Sequence, residues 1–422
     1  MVVVIVRIRP GVPTSLAAFC ASDYSEGSSP KIWGFPNYEI NALRDSDFIG
    51  GPDEEGRKFH SKPNKYHHGQ SYYTNYGGNY QNYHHGHYQS SHQQVQVPIY
   101  QSPITKPPPP QESTDRIISV CYLTMDEKCN RLFTMDNGHL YYYHNTTYLI
   151  KNPTLTVIGI PSNGCKTRNF PIIRLAEFPD SIAARGSYGF MVSTLDYQES
   201  GSCDDLFVYI ANAFSSYLTV YDYKNDDFWY FDHETFFPVI AESHFVFDRT
   251  YYYDLPLGMY SIALGYADKY GDRTAYYTTV ASTAQYKVST RVLKDRRRSP
   301  TNYNNDDFSI MGHRGCGHES CRTAIDYAHG VMFYAEVQSN QIRCWKINKP
   351  LNPDNVDVVY ESDDLLYGIN IFIDSWGYLW FHTCYIPILF TSDEPLNLQN
   401  INSRTFRMRV TDAIRGTICE DE

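Results

Sequence analysis

Two adjacent acids, Asp204 and Asp205, open the list of residues whose types could do chemistry, because one carboxylate of a close pair can be held protonated by its neighbour. On a strand, however, neighbouring side chains point to opposite faces, so this pair is expected to serve a turn or a cap and not one substrate. The segment Gly312 to Cys321 (GHRGCGHESC) gathers Cys316, His318 and Cys321, and thiolate with imidazole can bind zinc. The spacing has no second half, so an extra disulfide or a plain loop is the expectation. His84, His85 and His87 could hold a transition metal loosely, since neutral imidazole suits copper, nickel and zinc, but their segment reads as a solvated spacer. No metal or other cofactor is expected.

No Gly-x-Ser-x-Gly elbow and no Gly-x-x-x-x-Gly-Lys loop occurs, so hydrolase and nucleotide-binding readings lack a motif. The net charge is −11, and the one basic run, Lys294 to Arg298, is short and free of interleaved aromatics, which argues against a nucleic-acid partner. The apolar start at Met1 is broken by Arg7, Arg9 and Pro10, and no run approaches the roughly 18–20 apolar residues that span a bilayer. The same arginines spoil a signal peptide. Asn145-Thr146-Thr147 is an N-glycosylation sequon, usable only on an exported chain.

The elements that must position these residues are strands. Residues 60–103 are nearly free of aliphatic side chains and are rich in Tyr, His and Gln; with Pro107 to Pro110 behind them they read as a disordered insertion. Its tyrosines Tyr72, Tyr73, Tyr76, Tyr80, Tyr83 and Tyr88 are suited to oxidative cross-linking in a hardening matrix. Outside it, an apolar and aromatic run, a polar turn and a second run recur six times. The pairs are Val2 to Ile8 with Pro30 to Phe35, Arg131 to Met135 with Leu155 to Ile160, and Leu206 to Ala211 with Leu218 to Asp222. They continue as Arg273 to Thr279 with Gln285 to Thr290, Val331 to Ala335 with Gln341 to Trp345, and Tyr378 to His382 with Pro387 to Thr391. Period-2 alternation and the absence of a sustained 3.6-residue stripe predict an all-β, six-bladed β-propeller whose first blade is incomplete. Residues 1–50 start the propeller, 51–115 hold the insertion and 116–422 complete the ring.

Several motifs then resemble the insect Yellow / major royal jelly protein family. Arg9 to Ala17 (RPGVPTSLA) resembles its "PR...GVPATLA", Ser29 to Leu43 its "SPKL.PYPNWE.N.L", and Met125 to Phe133 its "VDECGRLW". Cys203 to Asp222 (CDDLFVYIANAFSSYLTVYD) is similar to "CDDAFAYIAD....LIVYD", and Ala281 to Leu293, Gly330 to Trp345 and Arg415 to Cys419 follow in the family's order. The resemblance implies that a signal peptide and a closing strand precede the first motif, so the natural start of the chain is expected to lie upstream.

It also implies disulfides Cys129 to Cys203 and Cys344 to Cys419, with the pairing of Cys20, Cys121, Cys165, Cys316, Cys321 and Cys384 left open. In the family, small amines bind in the central channel and some members convert dopachrome. Asp254 stands in the counterpart of "DGIFGM", altered by Pro256; in the counterpart of "PNDLKVD", Ile369 replaces the amide and Asn370 is its offset neighbour. Asp254 and Asn370 are therefore the expected ligand groups. The function expected is a secreted propeller with a structural or interaction role among matrix, cuticle or eggshell proteins, with a link to pigmentation. Dopachrome conversion and binding of amines or catechols are the alternatives.

Overall fold

The computed structural model describes the strands Val2–Val6, Ser15–Phe19 and Trp33–Phe35 and then residues 117–141, 147–161, 170–184, 189–198, 201–385, 387–388, 401 and 403–421. The insertion at 51–115, with its histidines and tyrosines, and the sequon at Asn145 lie outside the described residues.

A repeated turn builds the architecture. The carboxylates of Asp126, Asp222 and Asp326 each end a strand and accept backbone N–H groups from the turn that follows, from Cys129 at 3.2 Å, from Lys224 at 3.1 Å and from His329 at 2.9 Å. Four residues on, Asn130, Asp226 and Gly330 adopt left-handed φ values of 50°, 53° and 62°. Asx-type turns closed by a left-handed residue fold a strand back on itself within a few residues. Each apolar run therefore pairs with its neighbour in sequence, and the sheets are antiparallel meanders.

The first three strands, β1 (Val2–Val6), β2 (Ser15–Phe19) and β3 (Trp33–Phe35), form a sheet in that order. Next come β4 (Val120–Asp126) and β5 (Arg131–Asp136), a side hairpin of β6 (His139–Tyr141) and β7 (Thr147–Leu149), then β8 (Thr154–Gly159) and β9 (Ile172–Glu177), with β4-β5-β8-β9 as one blade. The second blade is β10 (Phe190–Tyr197), β11 (Leu206–Asn212), β12 (Tyr217–Asp222) and β13 (Asp227–Phe231). A hairpin of β14 (His244–Phe247) and β15 (Tyr251–Asp254) precedes the third, β16 (Met259–Ala267), β17 (Arg273–Thr279), β18 (Ala284–Ser289) and β19 (Phe308–His313). The fourth is β20 (Ser320–Asp326), β21 (Val331–Glu336), β22 (Gln341–Lys346) and β23 (Val356–Glu361). The fifth has three strands, β24 (Gly368–Ile373), β25 (Tyr378–Cys384) and β26 (Ser403–Arg409).

The inner strands β4, β10, β16, β20 and β24 touch one another in that order, which makes the array a β-propeller. The blades are glued face to face. Phe133 and Val157 of the first pack on Phe190 and Val208 of the second, and Tyr209 and Leu218 of the second pack on Ile262 and Tyr277 of the third. Val331 and Phe333 of the fourth meet Ile371 and Leu379 of the fifth.

Two sequence expectations change. Among the described residues there are five blades and not six, because the first expected pair is found as the separate sheet β1-β2-β3. In the last blade, the partner of β25 is Ser403–Arg409 and not Pro387 to Thr391. Pro387 has no N–H to give a ladder. Ser403–Arg409 instead alternates, with Phe406 and Met408 turned to the core.

Candidate ligand site at the propeller axis

Where the five inner strands converge, side chains tie them together. Thr124 Oγ1 of β4 donates to the Val192 carbonyl of β10 at 2.9 Å, and Ser193 Oγ of β10 to the Tyr260 carbonyl of β16 at 3.3 Å. The Thr323 amide of β20 donates to Ser261 Oγ of β16 at 3.4 Å. Arg322 of β20 closes the set. Its Nη1 donates to Asn370 Oδ1 of β24 at 3.0 Å, while Nη2 reaches across to the Val192 and Ser193 carbonyls of β10 at 3.4 and 3.2 Å.

Arg322 is 9% exposed and its guanidinium lies over the Tyr122 ring, 5.3 Å from the centroid. Burial pulls its pKa down, and the Tyr122 phenol and Cys321 thiol are the groups that act electrostatically in the other direction. No carboxylate is among them. Tyr122 in turn meets Tyr260 edge to face at 5.4 Å, which gives the site aromatic walls.

The β14-β15 hairpin covers one end of this convergence. Phe245, Phe247 and Tyr253 of the hairpin pack with Cys321, Tyr367 and Ile369 from the fourth and fifth blades. Gln338 bridges the two sides, accepting from the Val246 amide at 3.3 Å and donating to Glu319 at 2.6 Å. Burial raises the Glu319 carboxyl pKa, and it pushes the Cys321 thiol up to about 12. The Tyr253 and Tyr367 phenols are raised for the same reason. Burial thus disfavours the charged forms of these groups under the hairpin.

The residues singled out from sequence fall in several places. Asn370 belongs to the axial set, as the acceptor for Arg322. Asp254, at the end of β15, is paired with His244 Nδ1 at 2.6 Å and has a side chain 38% exposed. Ile369 is buried under the hairpin. Asp204 lies 3.5 Å from Arg131 and Asp205 lies 3.7 Å from Lys224, so the two acids serve different cations. His318 Nδ1 bonds the buried Glu336 at 2.8 Å, Cys316 is exposed and Cys321 is buried; among the described residues no cluster of metal-ligating side chains forms. The structure forms the disulfides Cys129–Cys203 and Cys344–Cys419, with Cα separations of 5.9 and 6.3 Å. Arg322 was not singled out. Its only signal is a basic residue inside the short run Ser320 to Asp326 (SCRTAID).

Antiparallel blades whose inner strands meet through polar side chains at one axis define the chain as a β-propeller. Residues 118–419 match the Major royal jelly protein family. Yellow-related salivary protein SP03 of Phlebotomus perniciosus is 32% identical over 314 residues, 73% of this chain and 75% of that one. Yellow-related salivary protein LJM111 of Lutzomyia longipalpis is 31% identical over 311 residues, 73% and 74% of the two chains. L-dopachrome tautomerase yellow-f of Drosophila melanogaster is 31% identical over 310 residues, 73% and 69%. This chain belongs to the Yellow / major royal jelly protein family.

Proposed function

We propose that the chain is a secreted Yellow-type propeller with a structural or interaction role in an extracellular matrix such as cuticle or eggshell. The observation that carries this reading is Arg322, which commits the axis to a strut across three blades and places a cation where an amine ligand would have to sit. Asp254 is engaged by His244 and Asn370 by Arg322, so both candidate amine-binding groups already have partners.

Export is supported by the two disulfides, since such bonds persist in oxidising compartments. No helix among the described residues is long and apolar enough to cross a membrane. The residues suited to attachment are the tyrosines and histidines of 60–103.

The N-terminal sheet is read as the sixth blade. Met125, Ile173 and Leu175 on the outer face of the first blade are 46%, 46% and 41% exposed, and Phe372 on the outer face of the fifth is 49% exposed. A sheet placed between them would bury both faces, and β1 already touches β4.

Deletion of residues 60–103 tests the matrix role. The shortened protein should keep its thermal transition and leave the insoluble matrix fraction for the soluble one. An intact protein that is fully soluble in those extracts contradicts the proposal. The second reading, dopachrome conversion, is favoured by the activity in the name of the Drosophila relative.

A further inference from the structure

Basic residues stand side by side at two places in the sequence, Arg57-Lys58 and Arg296-Arg297-Arg298. The second lies in the connection between β18 and β19 of the third blade. It forms one tight helical turn capped by Asp295, whose carboxylate accepts from the Arg297 amide at 3.2 Å. The side chains of Arg296 and Arg297 are 66% and 88% exposed, and that of Arg298 is 37% exposed. Each has a carboxylate beside it, Asp227 at 3.0 Å, Asp295 at 2.8 Å and Asp307 at 3.0 Å, so the run is not an open anion site. Ion pairs this exposed are weak and give way to a competing partner.

The turn bridges two anchored stretches. Before it, Val292 and Leu293 are buried, the Leu293 carbonyl accepts from Trp229 Nε1 at 2.8 Å, and Lys294 Nζ lies 2.9 Å from Asp272. After it, Ser299 Oγ donates to the Tyr230 carbonyl at 2.7 Å, the Asp232 amide donates to the Pro300 carbonyl at 3.2 Å, and the Tyr303 and Phe308 rings meet at 4.8 Å. A hollow of about 420 Å³ beside the turn is lined in part by Arg297, Arg298, Asn302 and Tyr303. An exposed turn between anchored segments can open locally while its flanks stay folded, which is what cleavage of a native protein requires.

We propose that the Arg297–Arg298 peptide bond is a processing site for a serine protease that reads paired arginines in the secretory route; the proposal rests on the export reading above. The step is hydrolysis: water adds across the C–N bond, leaving a carboxylate on Arg297 and an amine on Arg298, with no change of oxidation state. Acidic subsites of the protease take the two most exposed side chains, Arg297 before the cut and Arg296 next to it. The following bond, Arg298–Ser299, is less suited, because Asp307 holds Arg298 and the Tyr230 carbonyl holds Ser299. The product is a two-chain propeller. Cys129–Cys203 lies wholly before the cut and Cys344–Cys419 wholly after it; Cys20, Cys121 and Cys165 also precede it, and Cys316, Cys321 and Cys384 are free. The two chains are then held by the β18-β19 ladder, where Ala284 faces His313 and Val288 faces Phe308, and by the packing of the blades.

The probe is a kexin-type, dibasic-specific protease added to the purified full-length protein under native conditions. A new amino terminus at Arg298, two bands on a denaturing gel without reductant, an unchanged gel-filtration volume and a retained cooperative thermal transition are expected. Arg297→Gln should slow the cut at least about tenfold, whereas Arg296→Lys, which keeps the pair, should be cut at close to the parental rate. Detection of the natural protein in the extracellular fraction tests export separately, so a secreted but resistant protein refutes the site alone. The inference is overturned if the native protein resists while its heat-unfolded form is cut at this bond, if only Arg57-Lys58 is cut, if Arg297→Gln is cut as fast as the parent, or if the nicked chains separate in native gel filtration.

Discussion

The Arg322 guanidinium of the fourth blade and the Asn370 amide oxygen of the fifth lie 3.0 Å apart, and this bond joins two inner strands that share no backbone ladder. Because Arg322 also bonds β10, loss of Asn370 is felt across the ring. Asn370→Ala leaves a buried donor unmet and is expected to cost about 1–3 kcal/mol in urea unfolding. An unchanged midpoint would show that the axial network is not structural.

The first and second blades are held by a comparable group beside a disulfide. Arg131 bonds Asp126 at 2.8 Å, Tyr197 OH at 2.9 Å and the Cys203 carbonyl. Asp126 is 3% exposed, so Arg131→Met strands a buried carboxylate at an expected cost of about 3–5 kcal/mol. Lysine at 131 should recover only part of this, since it cannot reach three acceptors in a fork. Equal stability of the two variants in chemical denaturation would contradict the assignment.

The Cys344–Cys419 bridge ties the third strand of the fourth blade to the C-terminal segment across a sequence separation of 75. Replacement of both cysteines by alanine is expected to cost about 2–4 kcal/mol, mostly by freeing the unfolded chain. Calorimetry that finds the double variant as stable as the parent would refute this.

His233 is buried, stacked 4.7 Å from Phe308, and burial lowers its pKa. The unfolded chain therefore binds a proton more readily than the folded one, and stability falls as pH drops below the ordinary histidine value of about 6.5. His233→Gln should flatten that part of the Tm profile between about pH 7 and pH 5, with little change above it. Parallel profiles for the two proteins would exclude His233 as the sensitive group.

Thiol labelling separates the free cysteines. At about pH 8, iodoacetamide should modify exposed Cys316 and spare Cys321, which is buried and whose pKa is pushed up to about 12. Labelling of Cys321 at the rate of Cys316 in the native protein, read by peptide mass spectrometry, would contradict the packing under the hairpin.

The sequence was most legible where both faces of a strand are buried. β11 and β21 read as near-continuous apolar runs, and β5 and β17 as apolar stretches flanked by polar residues, because each is a central strand packed between neighbours. Outer strands such as β9, where Ile173 and Leu175 face outward and Arg174 reaches Tyr221, gave no such run. Inner strands were equally quiet, because Ser193, Ser261 and Arg322 there make polar bonds between blades. The axial site was half legible. Asn370 stood out through a family motif, but the cation it serves is 48 residues away in sequence, and nothing local marks an arginine that acts through long-range bonds.

The central claim is that the axis is a strut and not a centre of turnover. Purified full-length protein mixed with L-dopachrome, followed by the loss of its visible absorbance, tests this most directly. The account predicts a decay no faster than in buffer, with Arg322→Lys indistinguishable from the parent. A saturable, protein-dependent rate that falls in Arg322→Lys would contradict it.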